Sequence, residues 1–317
     1  MTTMSRKMTR WIAVAALAGL TLTAACSGSR SAASRSDDLP FKPGSPLISR
    51  VRALPQIGID ALRSRFQRDD LTNYTPTATE LKIIEQCLAK LPPFQERVLR
   101  DKLAGICFVN YLPIGGYSEP VDFIFLPTVC SSVAVPESVI IASPQTLKCT
   151  ISEWLVLQDL SIFALGDPWN DITFDCGSLP AFQYILLRES TRIHYPREFP
   201  EDWQDGGTPI KEYDFPARKE ICFNDPRPGP KVSFDKWEEF YKPLAKTPFL
   251  SLYAANSIED DLVEFVTFYH LTQKMGQPFK IAIGRNFPSD TKTFFEWEPM
   301  KSPLVQQRFP AMEAFYK

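Results

Sequence analysis

In Phe182-Gln183-Tyr184-Ile185-Leu186-Leu187-Arg188-Glu189-Ser190-Thr191-Arg192 an apolar run passes directly into a charged and polar one. At roughly 100° per residue, Phe182, Ile185, Leu186, Glu189 and Ile193 fall on one stripe, so the sequence predicts a helix whose apolar face carries a carboxylate at its middle. A glutamate facing a core needs a partner, because an unpaired buried charge is costly. Arg188 and Arg192 stand one turn apart on the flank of that stripe, where like charges repel unless anions lie opposite. A solvated helix face with an incidental Glu-Arg pair is the competing reading, and it leaves the apolar setting of Glu189 unexplained.

A second segment runs Ser251-Leu252-Tyr253-Ala254-Ala255-Asn256-Ser257-Ile258-Glu259-Asp260-Asp261-Leu262-Val263-Glu264-Phe265. Asn256 or Ser257 supplies an N-cap, and the acidic residues of the following turn suit the positive end of a helix dipole. Capping does not account for Glu264. It shares a face with Asp260, Val263, Thr267 and Leu271, while Leu262, Phe265, Val266 and Tyr269 cover the opposite side. A helix apolar on most sides is a buried one, so Asp260 and Glu264 are predicted inside the protein.

Together the two segments resemble the active-site helices of gluzincin-type zinc metallopeptidases, particularly those similar to the anthrax lethal factor catalytic domain. In the HExxH motif of such enzymes two histidines one turn apart coordinate zinc, and the adjoining glutamate is general base for the zinc-bound water. The resemblance puts Glu189 in the place of the base and Arg188 and Arg192 in the ligand positions. Tyr253 takes the place of the oxyanion-stabilising tyrosine, Asp260 that of the acidic ligand, and Glu264 that of the carboxylate behind it. The family usually has glutamate where Asp260 stands, and Glu259 is the alternative in a shifted register. Arginine stays protonated and offers only donors, so neither arginine can give a metal a lone pair. The resemblance thus implies a degenerate site with no cofactor expected, zinc entering only if the altered site still binds it. It implies an α+β, zincin-like fold with a small mixed sheet packed against several helices. It covers roughly Leu81 to Tyr316 in outline, and only these two segments are specific. Two guanidiniums can satisfy several carboxylate oxygens in bidentate fashion. The expectation is therefore a salt-bridge network of Arg188 and Arg192 with Glu189, Asp260 or Glu264 where the metal would be.

The amino-terminal residues set the compartment. Arg6, Lys7 and Arg10 precede an apolar run from Trp11 to Leu22 that ends in Thr23-Ala24-Ala25-Cys26. A basic start, a short apolar core and a small-residue ending read as a signal peptide over residues 1–25, too short to span a bilayer comfortably. The ending resembles a bacterial lipobox, with Thr23 where leucine is commonest. That implies a lipidated Cys26 at the start of the mature chain and a membrane anchor, stable when several acyl chains are attached. Ser27 in place of aspartate implies sorting to the outer membrane, facing the periplasm or the cell surface. Residues 26–38 are small and polar without apolar periodicity, a flexible tether with a reach on the order of 20 Å. Residues 39–317 are then one zincin-like domain with a helical preface.

Cys87, Cys107, Cys130, Cys149, Cys176 and Cys222 form an even set, as an oxidising compartment favours. They include no CxxC pair, which argues against a zinc ribbon or a thioredoxin-like site. Sequence does not choose among the pairings; local bridging is the expectation, Cys87 with Cys107, Cys130 with Cys149 and Cys176 with Cys222. The chain has only two histidines, His194 and His270. That count excludes a His-rich metal cluster and leaves a Ser-His-Asp triad dependent on one of the two. Both read as hydrogen-bonding residues rather than catalysts. Formal net charge is −2, and residues 1–25 hold three of the basic and none of the acidic side chains. An acidic remainder with no basic stripe makes nucleic acid an unsuitable partner.

Periodicity predicts helices at Ala78–Lys90, Pro93–Ala104, Ile151–Phe163, from Leu179 through the Arg-Glu-Ser-Thr-Arg motif, and at Asp235–Ala245, Ile258–Lys274 and Leu304–Phe315. Short apolar runs bounded by proline predict strands at Ile106–Leu112, Val121–Leu126, Ser138–Ile141 and Phe279–Ile283. Strands first and mostly helices afterwards indicate an α+β protein. Tyr195 to Lys231 is rich in proline, aspartate and glycine and is predicted as a long loop overhanging the site. Three functions compete. The leading one is a lipid-anchored, non-catalytic metallopeptidase-like protein that binds a peptide or protein through a retained cleft. The others are a divergent hydrolase using Glu189 and Tyr253, and a purely structural envelope lipoprotein.

Overall fold

Leu103–Asn110 reads Leu-Ala-Gly-Ile-Cys-Phe-Val-Asn, and all but its last residue are buried. A strand buried on both faces needs cover on both sides, and its neighbours supply it. In the computed structural model, which describes residues 44–120, 138–194, 200–221, 231–287 and 290–316, this is the inner strand β2 of a mixed four-stranded sheet. All the described residues belong to one compact unit, Leu39–Lys317.

The chain opens with α1 (Gln56–Phe66), β1 (Thr72–Tyr74), α2 (Ala78–Leu88) and α3 (Pro93–Lys102), and continues through β2 to β3 (Gly116–Pro120) and β4 (Ser138–Ala142). Then come α4 (Ile151–Asp159), β5 (Phe163–Ala164), β6 (Asn170–Asp175) and α5 (Ala181–His194), which carries the motif. After the long connection follow β7 (Val232–Ser233), α6 (Trp237–Leu244), α7 (Ile258–Tyr269), β8 (Lys280–Phe287), β9 (Asp290–Trp297), α8 (Pro303–Gln306) and α9 (Phe309–Phe315). The expected α+β class is what the chain adopts. The first sheet has the order β1-β2-β4-β3, with β2 parallel to β4 and the other pairs antiparallel. A second, antiparallel sheet has the order β6-β8-β9.

Local chemistry places several helix starts. Thr77 with Glu80 and Thr150 with Glu153 form reciprocal capping boxes at α2 and α4, each satisfying two otherwise orphaned N–H groups. Ser257 caps α7 by accepting from the Asp260 N–H at 3.1 Å. Helix α7 is α-helical to Tyr269 and continues as a π-helix over His270–Lys274, where the predicted helix ends.

Side chains alternate along β2, so its two faces enter different cores. Ile106 and Phe108 join the large core with α5, whereas Cys107 and Val109 pack with Ile59 and Leu62 of α1. That alternation overturns the expected Cys87-Cys107 bridge. Cys87 on α2 belongs to the large core, across the sheet from Cys107, and both are free thiols. Cys149 and Cys176 are also free thiols, and the partners expected for them fall outside the described residues. Cys130 and Cys222 lie outside the described residues, as do the signal sequence, Cys26, the tether and the strand expected at Val121–Leu126. Burial pushes the Cys87 and Cys107 thiols up to about 12, so little thiolate is available for attack. A thiol-labelling time course should therefore show both modified only at the rate of unfolding; rapid labelling of either in the native protein would contradict this packing.

The connection between the motif helices is anchored in the core as well as long. Its described part, 200–221, contributes Trp203, Phe215, Ala217 and Ile221 to the core. It packs on the start of α7, where Trp203 Nε1 donates to Asp261 at 3.1 Å and the Ile258 N–H donates to the Gly206 carbonyl at 3.1 Å. Arg308 binds Asp202 at 2.6 Å and Asp261 at 2.7 Å, fastening this connection and α7 to the start of α9.

Candidate functional site

Helix α5 lies between β3 and α7, and each side engages a different part of the motif. Strand β3 approaches so closely that a Cβ at Gly116 would stand 2.6 Å from Ile185 Cγ2. Any larger residue there would push the strand away from the helix. The Ser118 N–H and Oγ donate to Glu189 Oε2 at 2.8 and 3.0 Å. Glu189 is 1% exposed, so the expected partner of this core-facing carboxylate is the edge strand of the sheet.

On the other side the arginines meet α7. Arg192 bonds Asp260 Oδ1 at 2.6 Å, pairs with Glu259, lies 3.5 Å from Glu189, and has its Nη2 3.4 Å from the Tyr253 hydroxyl. Asp260 also accepts from Asn256 Nδ2 at 2.7 Å and from the Ser257 hydroxyl at 2.9 Å. Arg188 Nε lies 3.3 Å from Glu264. The central carbon of its guanidinium lies 4.3 Å from the ring centre of Tyr253 and 5.1 Å from that of Tyr184. Glu264 accepts from the Tyr184 hydroxyl and from Ser251 Oγ, the latter at 2.9 Å. The structure thus brings together all six residues singled out in the sequence, Arg188, Glu189, Arg192, Tyr253, Asp260 and Glu264. It also enlists Glu259, the shifted-register alternative, and three that sequence reasoning missed: Ser118, Tyr184 and Ser251.

The electrostatics follow from burial set against ion pairing. Burial raises Glu264 above the usual carboxyl range, and Arg188, Tyr184 and Ser251 only partly offset it. Burial is the largest influence on Asp260 and would raise it, but Arg192, Asn256 and Arg188 together outweigh it and hold that carboxyl below its ordinary value. Tyr253 is pushed up to about 12, again chiefly by burial, so it is a neutral phenol at pH 7.

Zinc, which the peptidase resemblance implies, does not fit these residues. Arg188 and Arg192 provide no lone pair. Asp260 is committed to Arg192, Asn256 and Ser257, and Glu189 to Ser118 and Arg192. Among the described residues no group of three or more His, Cys, Asp or Glu side chains is placed to hold a metal ion. His270 is buried, with ring nitrogens 3.0 Å from the Lys90 carbonyl and 2.9 Å from the Tyr316 hydroxyl. The His194 side chain lies outside the described set. Comparisons of the chain with protein-family models, with curated proteins and with solved structures give no match.

Proposed function

We propose that the chain is a non-catalytic, metallopeptidase-like lipoprotein of the cell envelope, zincin-like in fold, that binds a peptide or protein beside the former active site. One observation carries the loss of catalysis: the Arg192 guanidinium sits among Glu189, Glu259 and Asp260, the carboxylates that a metal and its bound water would otherwise engage. The arginine supplies positive charge to the acidic pocket without any capacity to activate water. Glu189 accepts twice from Ser118 through Oε2, and the same oxygen faces Arg192, so one of its two oxygens is tied to the fold. Peptide binding is supported by the rim of this cluster, where the Arg192 side chain is 18% and the Glu259 side chain 47% exposed. Lipidation at Cys26 would hold the domain at the outer membrane, and the acidic net charge argues against nucleic acid as a partner.

Elemental analysis and a proteolysis assay on the mature protein test this reading, alongside the Arg188→His, Arg192→His double variant. The wild type is expected to carry no stoichiometric metal and to cleave nothing, and the double variant to take up zinc. Stoichiometric zinc in the wild type, with hydrolysis abolished by Glu189→Gln, would overturn it in favour of a divergent hydrolase.

A further inference from the structure

Arg188 and Arg192 are one turn apart but are treated differently by the fold. Arg192 meets three carboxylates. Arg188 is 4% exposed and engages only Glu264, through Nε at 3.3 Å, in a geometry that leaves Nε without a hydrogen bond. Among the described residues none accepts a hydrogen bond from its terminal nitrogens either. Aromatic rings lie against the guanidinium, Tyr253 at 4.3 Å and Tyr184 at 5.1 Å. Stacking satisfies the faces of a guanidinium and leaves its in-plane N–H groups to seek acceptors. Nε is sealed from solvent, so the 5% exposure left to this side chain belongs to its other atoms.

Charge decides what kind of acceptor fits. Glu189, Glu259, Asp260 and Glu264 already surround the two guanidiniums, and a further anion would add repulsion. Only Nε is sealed without a hydrogen bond; the terminal nitrogens share the exposure left to the side chain and lack an acceptor among the described residues, not a counter-charge. A neutral oxygen answers that lack. We infer that Arg188 is the recognition group for a backbone carbonyl oxygen of a bound peptide, donating from its terminal nitrogens while Tyr253 and Tyr184 hold its plane. This contact rests on the peptide-binding reading above and names the ligand group that the site takes.

The test is an NMR titration of the ¹⁵N-labelled wild-type domain, following the arginine side-chain resonances, with N-acetyl-tetraalanine amide as the neutral probe and acetate as a separate arm. A saturable shift of the Arg188 signals by the peptide, absent with acetate, is expected. Arg188→Met, checked for native structure by near-ultraviolet circular dichroism, should bind the peptide roughly tenfold more weakly, the value of about one hydrogen bond. If that variant does not fold, the wild-type titration still decides. No saturable shift at Arg188, or a response to acetate alone, overturns the inference. A peptide that shifts other resonances and leaves Arg188 unmoved overturns this contact while peptide binding itself stands. Zinc content and proteolysis, measured independently, decide whether the site is catalytic.

Discussion

Replacing Arg192 with alanine is expected to lower the melting temperature by on the order of 10 °C. Asp260 is 6% and Glu189 1% exposed, and both face the Arg192 guanidinium. Without it, two carboxylates remain in a setting that no longer compensates them. Removing one partner of a buried ion pair costs about 3–5 kcal/mol, and about 1 kcal/mol moves the melting point of a domain this large by roughly 2–4 °C. Lysine should recover only part of the loss, because a single ammonium cannot span Asp260 and Glu189 as a planar fork does. Neutralising both sides, with Arg192→Met, Glu189→Gln and Asp260→Asn together, should recover most of it, since a buried pair replaced as a whole leaves no orphaned charge. Glu259→Ala should cost little, because that carboxylate is half exposed and its pairing is screened. Calorimetry on the wild type and the four variants checks the ranking; an Arg192→Ala protein that melts with the wild type would remove the ionic cluster from the account of stability.

The parts of this cluster that could be read in the sequence were those governed by helical period. Glu189 within an apolar stripe and Glu264 on the same face as Asp260 are each visible at three- and four-residue spacing, and both prove buried. Contacts made across the chain left no such trace. Ser118 lies 71 residues from Glu189, in a strand reading Gly-Tyr-Ser-Glu-Pro that lacks the alternation by which strands are recognised. Strand β9 escaped for a related reason. It is mostly exposed and paired on one side only, and the bulge between Ile283 and Gly284 breaks its alternation, so no buried pattern marks it. Trp203 and Phe215 were hidden by the proline and glycine around them, although both reach the core. The cysteines fail differently. An even count licenses bridges in general, but strand period alone turns Cys107 away from Cys87, and that pairing depends on which face of the sheet each element covers.

Asp159 gave no sequence signal at all, yet it should govern much of the pH dependence of stability. It ends α4, is 3% exposed, and accepts a hydrogen bond from the Tyr241 hydroxyl of α6. Burial pushes its carboxyl up to about 7; Tyr241 opposes that shift and the Glu264 carboxylate adds to it. Because the ordinary value is 3.8, the native protein holds a proton between pH 4 and 7 that the unfolded chain has released. Raising the pH therefore works against folding. The stability contributed by the neutral acid is complete below pH 4 and is lost as pH climbs through 7, a change of about 4 kcal/mol. Asp159→Asn preserves the shape and an acceptor for Tyr241 but cannot ionise, so its stability should not follow that slope. Asp261, raised by burial, and Asp260, lowered by its partners, titrate in both proteins and cancel, so the difference between the two curves reports Asp159 together with its coupling to Glu264. Denaturant unfolding at pH 4, 6 and 8 should find the variant close to the wild type at pH 4 and several kcal/mol more stable at pH 8. Parallel curves across that range would mean that Asp159 is ionised in the native protein, with solvent or a cation reaching it between α4 and α6.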